Sequence, residues 1–277
     1  MEIEIAKKLR RSLRDIDGSL NEKVALLFAF LDEIHQRNDI HGGCFEIGVF
    51  HGQTSVFLAN LLRAKTETLG ICDIFENQHL NVSKSGPGSR ERFMSNFNRH
   101  FSDSSILKVH AKASSSLTAT EIGKGIRLFH VDGGHNFEEA LEDLELAAST
   151  LHPLGCIVLD DTFRADWPGV SEALIRFLDR HADYSAIIAG FNKVVIVPQS
   201  AIGIYLRDGD HLLESYFKGN AYLEKFESKR TKLCGKDLIS ITCTVRSDIR
   251  PSWPRKTLGL VLDPIEASLR RIQGRPL

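Results

Sequence analysis

The feature that most constrains this chain is an alternation that repeats between residues 44 and 197. A short, almost wholly apolar run ends at a polar residue and is followed by a stretch with helical periodicity. The runs are Cys44–Gly48, Thr68–Asp73, Ile106–His110, Ile126–Asp132 and Cys156–Asp160. The helical patterns fall at Gln53–Ala64, Ser89–Phe101, Asn136–Ser149 and Gly169–His181. Runs without polar alternation belong to strands covered on both faces, and strand–helix alternation builds a parallel sheet. Two further runs, Ser185–Ala189 and Lys193–Val197, are too close in sequence for a crossover and predict an antiparallel pair. The expected fold class is α/β, a doubly wound, mostly parallel seven-stranded sheet over residues 41–200. A helical segment over residues 1–40 precedes it, with Asn21 capping an apolar-periodic stretch to about Gln36. An extension over residues 201–277 follows, in which Arg207–Lys225 suggests a helix and Lys229–Cys243 a strand.

Composition narrows the class further. Of 277 residues, 42% are hydrophobic and 26% charged, the balance of a globular protein, and the formal net charge is -1. A dedicated nucleic-acid binder carries a basic excess that is missing here, so no nucleic-acid partner is expected. The longest apolar run, Val24–Leu31, falls far short of the roughly 20 residues of a membrane span, so no transmembrane segment is expected. Met1-Glu2-Ile3-Glu4 is acidic where a secretory leader is basic and then apolar. Cys44, Cys72 and Cys156 sit in strand patterns and no CxxC occurs, which suits reduced core thiols and a cytoplasmic location. Charge is unevenly spread: residues 229–277 hold 11 Lys/Arg against 4 Asp/Glu. That basic extension could attract an anionic ligand, or simply pack on the core or on a second subunit; a homo-oligomer is expected.

In open α/β sheets ligands bind beyond the C-terminal strand ends, where strand order reverses. The first strand runs through Glu46 into Gly48-Val49-Phe50-His51-Gly52 and the helix start Gln53-Thr54-Ser55. Glycines there let a ligand approach the backbone, and free helix amides favour an anionic group. Phe50 stands where a dinucleotide fingerprint needs its second glycine, and no phosphate-loop motif occurs. Asp73, about 20 residues beyond the turn, suits the two hydroxyls of a ribose. It could equally cap the following turn. The fourth and fifth strands end at Asp132-Gly133-Gly134-His135 and Asp160-Asp161. If these strands are neighbours, three carboxylates converge, and an all-oxygen set points to a hard divalent ion, Mg²⁺ first and then Mn²⁺ or Ca²⁺. Helix or turn capping is the plainer alternative for Asp132 and Asp161. His135, freed by two glycines, can serve as ligand or general base. Ser83-Lys84-Ser85-Gly86-Pro87-Gly88, over the strand ends, suits a lid or a surface turn.

Together these residues resemble a class I S-adenosylmethionine-dependent methyltransferase. The similarity is greatest to metal-dependent O-methyltransferases that modify sugars of macrolide glycosides, and it covers about residues 40–200, with DGGH and the DD pair its most specific part. The resemblance implies a Rossmann-like methyltransferase fold, S-adenosyl-L-methionine and Mg²⁺ (or Mn²⁺) as cofactors, and a small-molecule or glycan acceptor. It implies cofactor contacts at Glu46, Gly48, Val49, Gly52, Thr54, Ser55, Asp73, Ser114 and Asp132. Metal ligation would fall to Asp132, Asp160 and Asp161, and catalysis to His135. A nicotinamide-dependent oxidoreductase or a non-catalytic cofactor-binding protein of the same fold remains the alternative.

Overall fold

The computed structural model describes residues 1–218 and 223–245. Strands β1 (Cys44–Ile47), β2 (Leu69–Cys72), β3 (Leu107–His110), β4 (Ile126–Val131) and β5 (Leu151–Leu159) pair in parallel in the order β3-β2-β1-β4-β5. Every residue of β1, β2 and β4 is buried, which is why these strands lack polar alternation in the sequence. Strand β7 (Lys193–Pro198) closes this run antiparallel to β5 and forms the expected antiparallel pair with β6 (Tyr184–Gly190).

The helices are α1 (Ile3–Ser12), α2 (Glu22–Arg37), α3 (Gln53–Ala59), α4 (Arg90–His100), α5 (Ala119–Ile122), α6 (Phe137–Thr150), α7 (Pro168–Arg180) and α8 (Ile202–Phe217). Their starts follow local chemistry. Asn21 accepts the Val24 N–H at 3.1 Å and Asn136 the Glu139 N–H at 2.8 Å, each satisfying an amide the helix cannot pair internally.

Among the described residues the sheet has nine strands, not the seven expected. Strand β9 (Lys236–Val245) joins β6 in parallel through Ile188↔Ile239 and Ala189↔Ser240, and β8 (Leu223–Leu233) pairs antiparallel on β9. The single strand expected over residues 229–243 is thus two half-strands, reversed at Cys234 and Gly235, both with positive φ. The helix expected from Arg207 begins instead at Ile202 and ends at Phe217. Residues 246–277, most of the basic extension, lie outside the described residues.

Two apolar layers cover the sheet. Phe28 and Leu31 of α2 meet Phe57 of α3 and Tyr205 and Phe217 of α8 in one layer, while Leu144 of α6 and Leu174 and Phe177 of α7 fill the other. The first layer also holds a polar knot around Arg127, which is fully buried. Its guanidinium donates to the carbonyls of Gly42 (3.1 Å) and Leu61 (2.6 Å) and to His35 Nδ1 (3.0 Å), and pairs with Asp32 Oδ1 at 3.1 Å. Arginine can only donate, so His35 carries its proton on Nε2 and gives it to Tyr205 Oη at 2.7 Å. Burial, then the Arg127 charge, holds the His35 pKa well below its ordinary value and keeps the ring neutral. Among the described residues no helix is long and apolar enough to cross a membrane.

Candidate active site

Strand order reverses between β1 and β4, and the cleft of the molecule opens there, about 560 Å³ in volume, within the range of small-molecule sites. Its wall on the β1 side is the glycine turn. Gly48 has φ +79°, and a Cβ on it would stand 1.8 Å from the Asp132 carbonyl oxygen, so no side chain fits where β1 and β4 leave the sheet. Phe50 also takes a left-handed φ, +51°. What holds it there is Asp73: Oδ2 accepts the Val49 N–H at 2.7 Å and the Phe50 N–H at 3.0 Å, and Oδ1 accepts the Phe75 N–H at 2.6 Å. The acid expected to bind a ribose therefore also fastens the turn, at the mouth of the same cleft.

Two segments overhang the cleft. Gly18 and Ser19, between α1 and α2, form part of its wall and are tied down by Gln53. Its amide donates to the carbonyls of Leu13 (2.9 Å) and Ile16 (2.8 Å) and accepts the Leu20 N–H (2.9 Å). Leu80, Val82, Ser83 and Gly86 line the opposite lip, the segment read as a lid.

Glu46, Gly48, Val49, Thr54, Asp73, Ser114, Asp132 and His135 all line the cleft. Gly52 and Ser55 stand behind the wall. Gly52 caps α3 with φ +89° against the Phe93 ring, and Ser55 is fully buried, its hydroxyl donating to Glu46 Oε2 in a short bond. The other Glu46 oxygen faces His130 Nδ1 at 3.0 Å, so both are already engaged. Burial alone would lower the His130 pKa. The carboxylates of Asp160 and Glu46 outweigh it and raise the pKa to about 9, leaving a buried imidazolium under the turn. Asp143 of α6 lies close to Gly133 and is 1% exposed. Burial pushes its carboxyl up to about 7, and Oδ2 has no hydrogen-bond partner among the described residues.

The sequence argument placed Asp132, Asp160 and Asp161 as an uncompensated cluster, and on this point the structure differs. Asp160 Oδ2 forms a short ion pair with Lys193 Nζ, and Oδ1 accepts the Asp161 N–H at 2.7 Å. Asp161 reaches His135 Nε2 through Oδ2 and Arg164 through Oδ1, each at 2.9 Å. Neither Asp160 nor Asp161 lines the cleft. Lys193 went unnoticed because it opens an apolar strand. The antiparallel register that pairs Leu159 with Val194 sets it opposite Asp160, and only knowledge that β7 pairs with β5 exposes that contact.

Asp132 keeps the expected character. It faces the cleft with no cation within 4 Å among the described residues, and burial, then the Asp160 charge, raises its pKa well above the usual carboxylate range. Oxygens of Asp132 and Asp161 and a nitrogen of His135 all lie within 4.8 Å of one another, as do ligand atoms of His130, Asp132 and Asp160. The His135 ring packs on Trp167 with centroids 4.3 Å apart, and Nδ1 meets Ser83 Oγ of the lid at 3.2 Å. An imidazole held between a carboxylate and a hydroxyl, at the open end of the cleft, is placed to accept a proton from a bound hydroxyl group.

Comparison with known proteins agrees with this geometry. A family profile described as "Methyltransferase domain" matches residues 45–162. Among solved structures, the O-methyltransferase NovP superposes with a TM-score of 0.55 at 15% identity, covering 68% of this chain and 86% of that one. A Corynebacterium glutamicum protein gives 0.50 at 14% identity over 70% and 89%. CalS11, a TDP-rhamnose 3'-O-methyltransferase, gives 0.47 at 14% identity over 70% and 93%. A search of curated proteins finds no significant match. Residues 45–162 thus resemble a methyltransferase domain, and the chain shares the α/β fold of NovP.

Proposed function

We propose that this chain is an S-adenosylmethionine-dependent, divalent-metal-assisted O-methyltransferase acting on a hydroxyl of a sugar, glycoside or other polyol. The observation that carries the reading is the convergence of Asp132 and His135 at the switch-point cleft, with Asp161 behind the imidazole. The glycine turn, Thr54, Asp73 and Ser114 line the part of the cleft suited to the cofactor, which supplies the methyl group as a sulfonium. Asp132, a half-buried carboxylate with no cation within 4 Å among the described residues, favours positive charge beside it. The oxygens of Asp132 and Asp161, within 4.8 Å of each other, suit a hard divalent ion, which would lower the pKa of an acceptor hydroxyl and fix its direction. His135 takes the hydroxyl proton, with Asp161 stabilising the resulting imidazolium at 2.9 Å. Ser83 must release Nδ1, or Asp161 must release Nε2, before the ring can act on the acceptor.

Calorimetry with S-adenosylmethionine and S-adenosylhomocysteine, followed by mass-spectrometric assay of methyl transfer to a panel of glycosides and polyols with and without chelator, tests this. His135→Ala is expected to retain cofactor binding and to lower turnover by about 10²–10⁴-fold. A folded protein that binds neither cofactor form at millimolar concentration would refute the proposal.

A further inference from the structure

A lysine inside an acidic cluster is the least expected feature of this molecule. Lys193 is 6% exposed, its ammonium rests on Asp160 Oδ2, and the second Asp160 oxygen is taken by the Asp161 amide. His130 lies on the other side of Asp160, with Nε2 3.8 Å from Oδ2 and no hydrogen-bond partner among the described residues, although the residue is 1% exposed. Asp160 therefore sits between the Lys193 ammonium and the His130 ring, whereas Asp132 has no Lys, Arg or His nitrogen within 4 Å among the described residues. Register makes this no accident of one rotamer: the antiparallel β5–β7 ladder pairs Leu159 with Val194, so the next residue along, Asp160, meets Lys193.

We propose that Lys193 sets the strength of divalent-cation binding at this cleft by keeping Asp160 out of the ligand set. A cation then draws on the carboxylates of Asp132 and Asp161, and it binds against the field of an ammonium fixed behind them. The inference rests on the metal-assisted part of the proposed function. Two consequences separate it from a merely structural salt bridge. Removing the ammonium while keeping its stem frees a buried carboxylate beside the other ligands, so cation affinity should rise rather than fall. The freed charge should also destabilise the protein without metal, and bound metal should restore it.

Mn²⁺ binding, read by electron paramagnetic resonance, and melting curves with and without Mn²⁺ test this on the full chain. Lys193→Met is expected to bind Mn²⁺ about tenfold or more tightly than the unsubstituted chain, to melt lower without Mn²⁺, and to recover with it. Lys193→Arg, which keeps the charge, should leave affinity within about threefold. Should Lys193→Met fail to fold, Lys193→Met combined with Asp160→Asn, which removes both buried charges, is expected to bind Mn²⁺ within a few-fold of the unsubstituted chain. Loss of binding in that pair would mean that Asp160 is a ligand, and would overturn the inference. Equal or weaker Mn²⁺ binding by folded Lys193→Met would overturn it while leaving the metal-assisted reading intact. Absence of Mn²⁺ binding in every variant, together with chelator-insensitive methyl transfer, would overturn both.

Discussion

Replacing Asp73 by alanine tests how a single carboxylate can build a binding turn. Three backbone amides depend on it, those of Val49, Phe50 and Phe75 at 2.6–3.0 Å. Phe50 stands in the left-handed region, where a residue with a Cβ stays only if its surroundings hold it. A hydrogen bond to a charged acceptor contributes about 1.5–3 kcal/mol, and the three here share one side chain at the edge of a solvated cleft, so their sum is not additive. We expect Asp73→Ala to lower stability by about 2–5 kcal/mol, measured as a shift of the urea midpoint at constant slope. Asp73→Asn keeps one oxygen and should lose about half as much. Cofactor affinity should fall in both variants, because the turn that lines the cleft has lost its anchor. A residue that served only a ribose would show the affinity loss with an unchanged urea midpoint, and that outcome refutes the anchoring role.

Asp143 gives a pH-dependent prediction. Its folded pKa of about 7 lies above the unfolded value near 4, so the stability that its protonated form contributes is full below about pH 4 and is lost as pH rises through 7. Asp143→Asn cannot ionise, and its stability relative to the unsubstituted chain should improve by about 2–4 kcal/mol between pH 4 and 8; melting curves showing a pH-independent difference would contradict this. Gly48→Ala should leave little folded protein, since its Cβ would overlap the Asp132 carbonyl, and a melting temperature within a few degrees of the parent would show that β1 and β4 can separate.

The parallel strands β1, β2 and β4 were legible because burial on both faces writes itself as an uninterrupted apolar run. The switch-point residues Gly48, Asp73 and Asp132 followed from their places at strand ends. Strand β8 left no such mark: Leu223–Leu233 is mostly charged or polar because it forms the sheet's outer edge, and nothing in its periodicity demands a strand. The Asp160–Lys193 pair was hidden for another reason. Both residues were visible, but their meeting depends on which strand β7 chooses as a neighbour, a long-range fact that local pattern does not encode. The Glu46–His130–Ser55 contacts were illegible in the same way, since they join β1, β4 and α3 through a long-range pairing while Glu46 still lines the cleft.

The knot around Arg127 carries a consequence for how the chain is made. Asp32 and His35 are in place nearly a hundred residues before the guanidinium that satisfies them is synthesised. Until β4 emerges, α2 carries an apolar face and a polar pair of which only Asp32 has cations within reach, the Met1 amine at 2.7 Å and Arg63 at 3.9 Å, and loop closure over the span to Arg127 is slow to be rewarded. The N-terminal half is thus committed to waiting: its first layer can collapse early, but it locks only when residue 127 arrives to tie α2, the end of α3 and, through His35 and Tyr205, α8 into one unit.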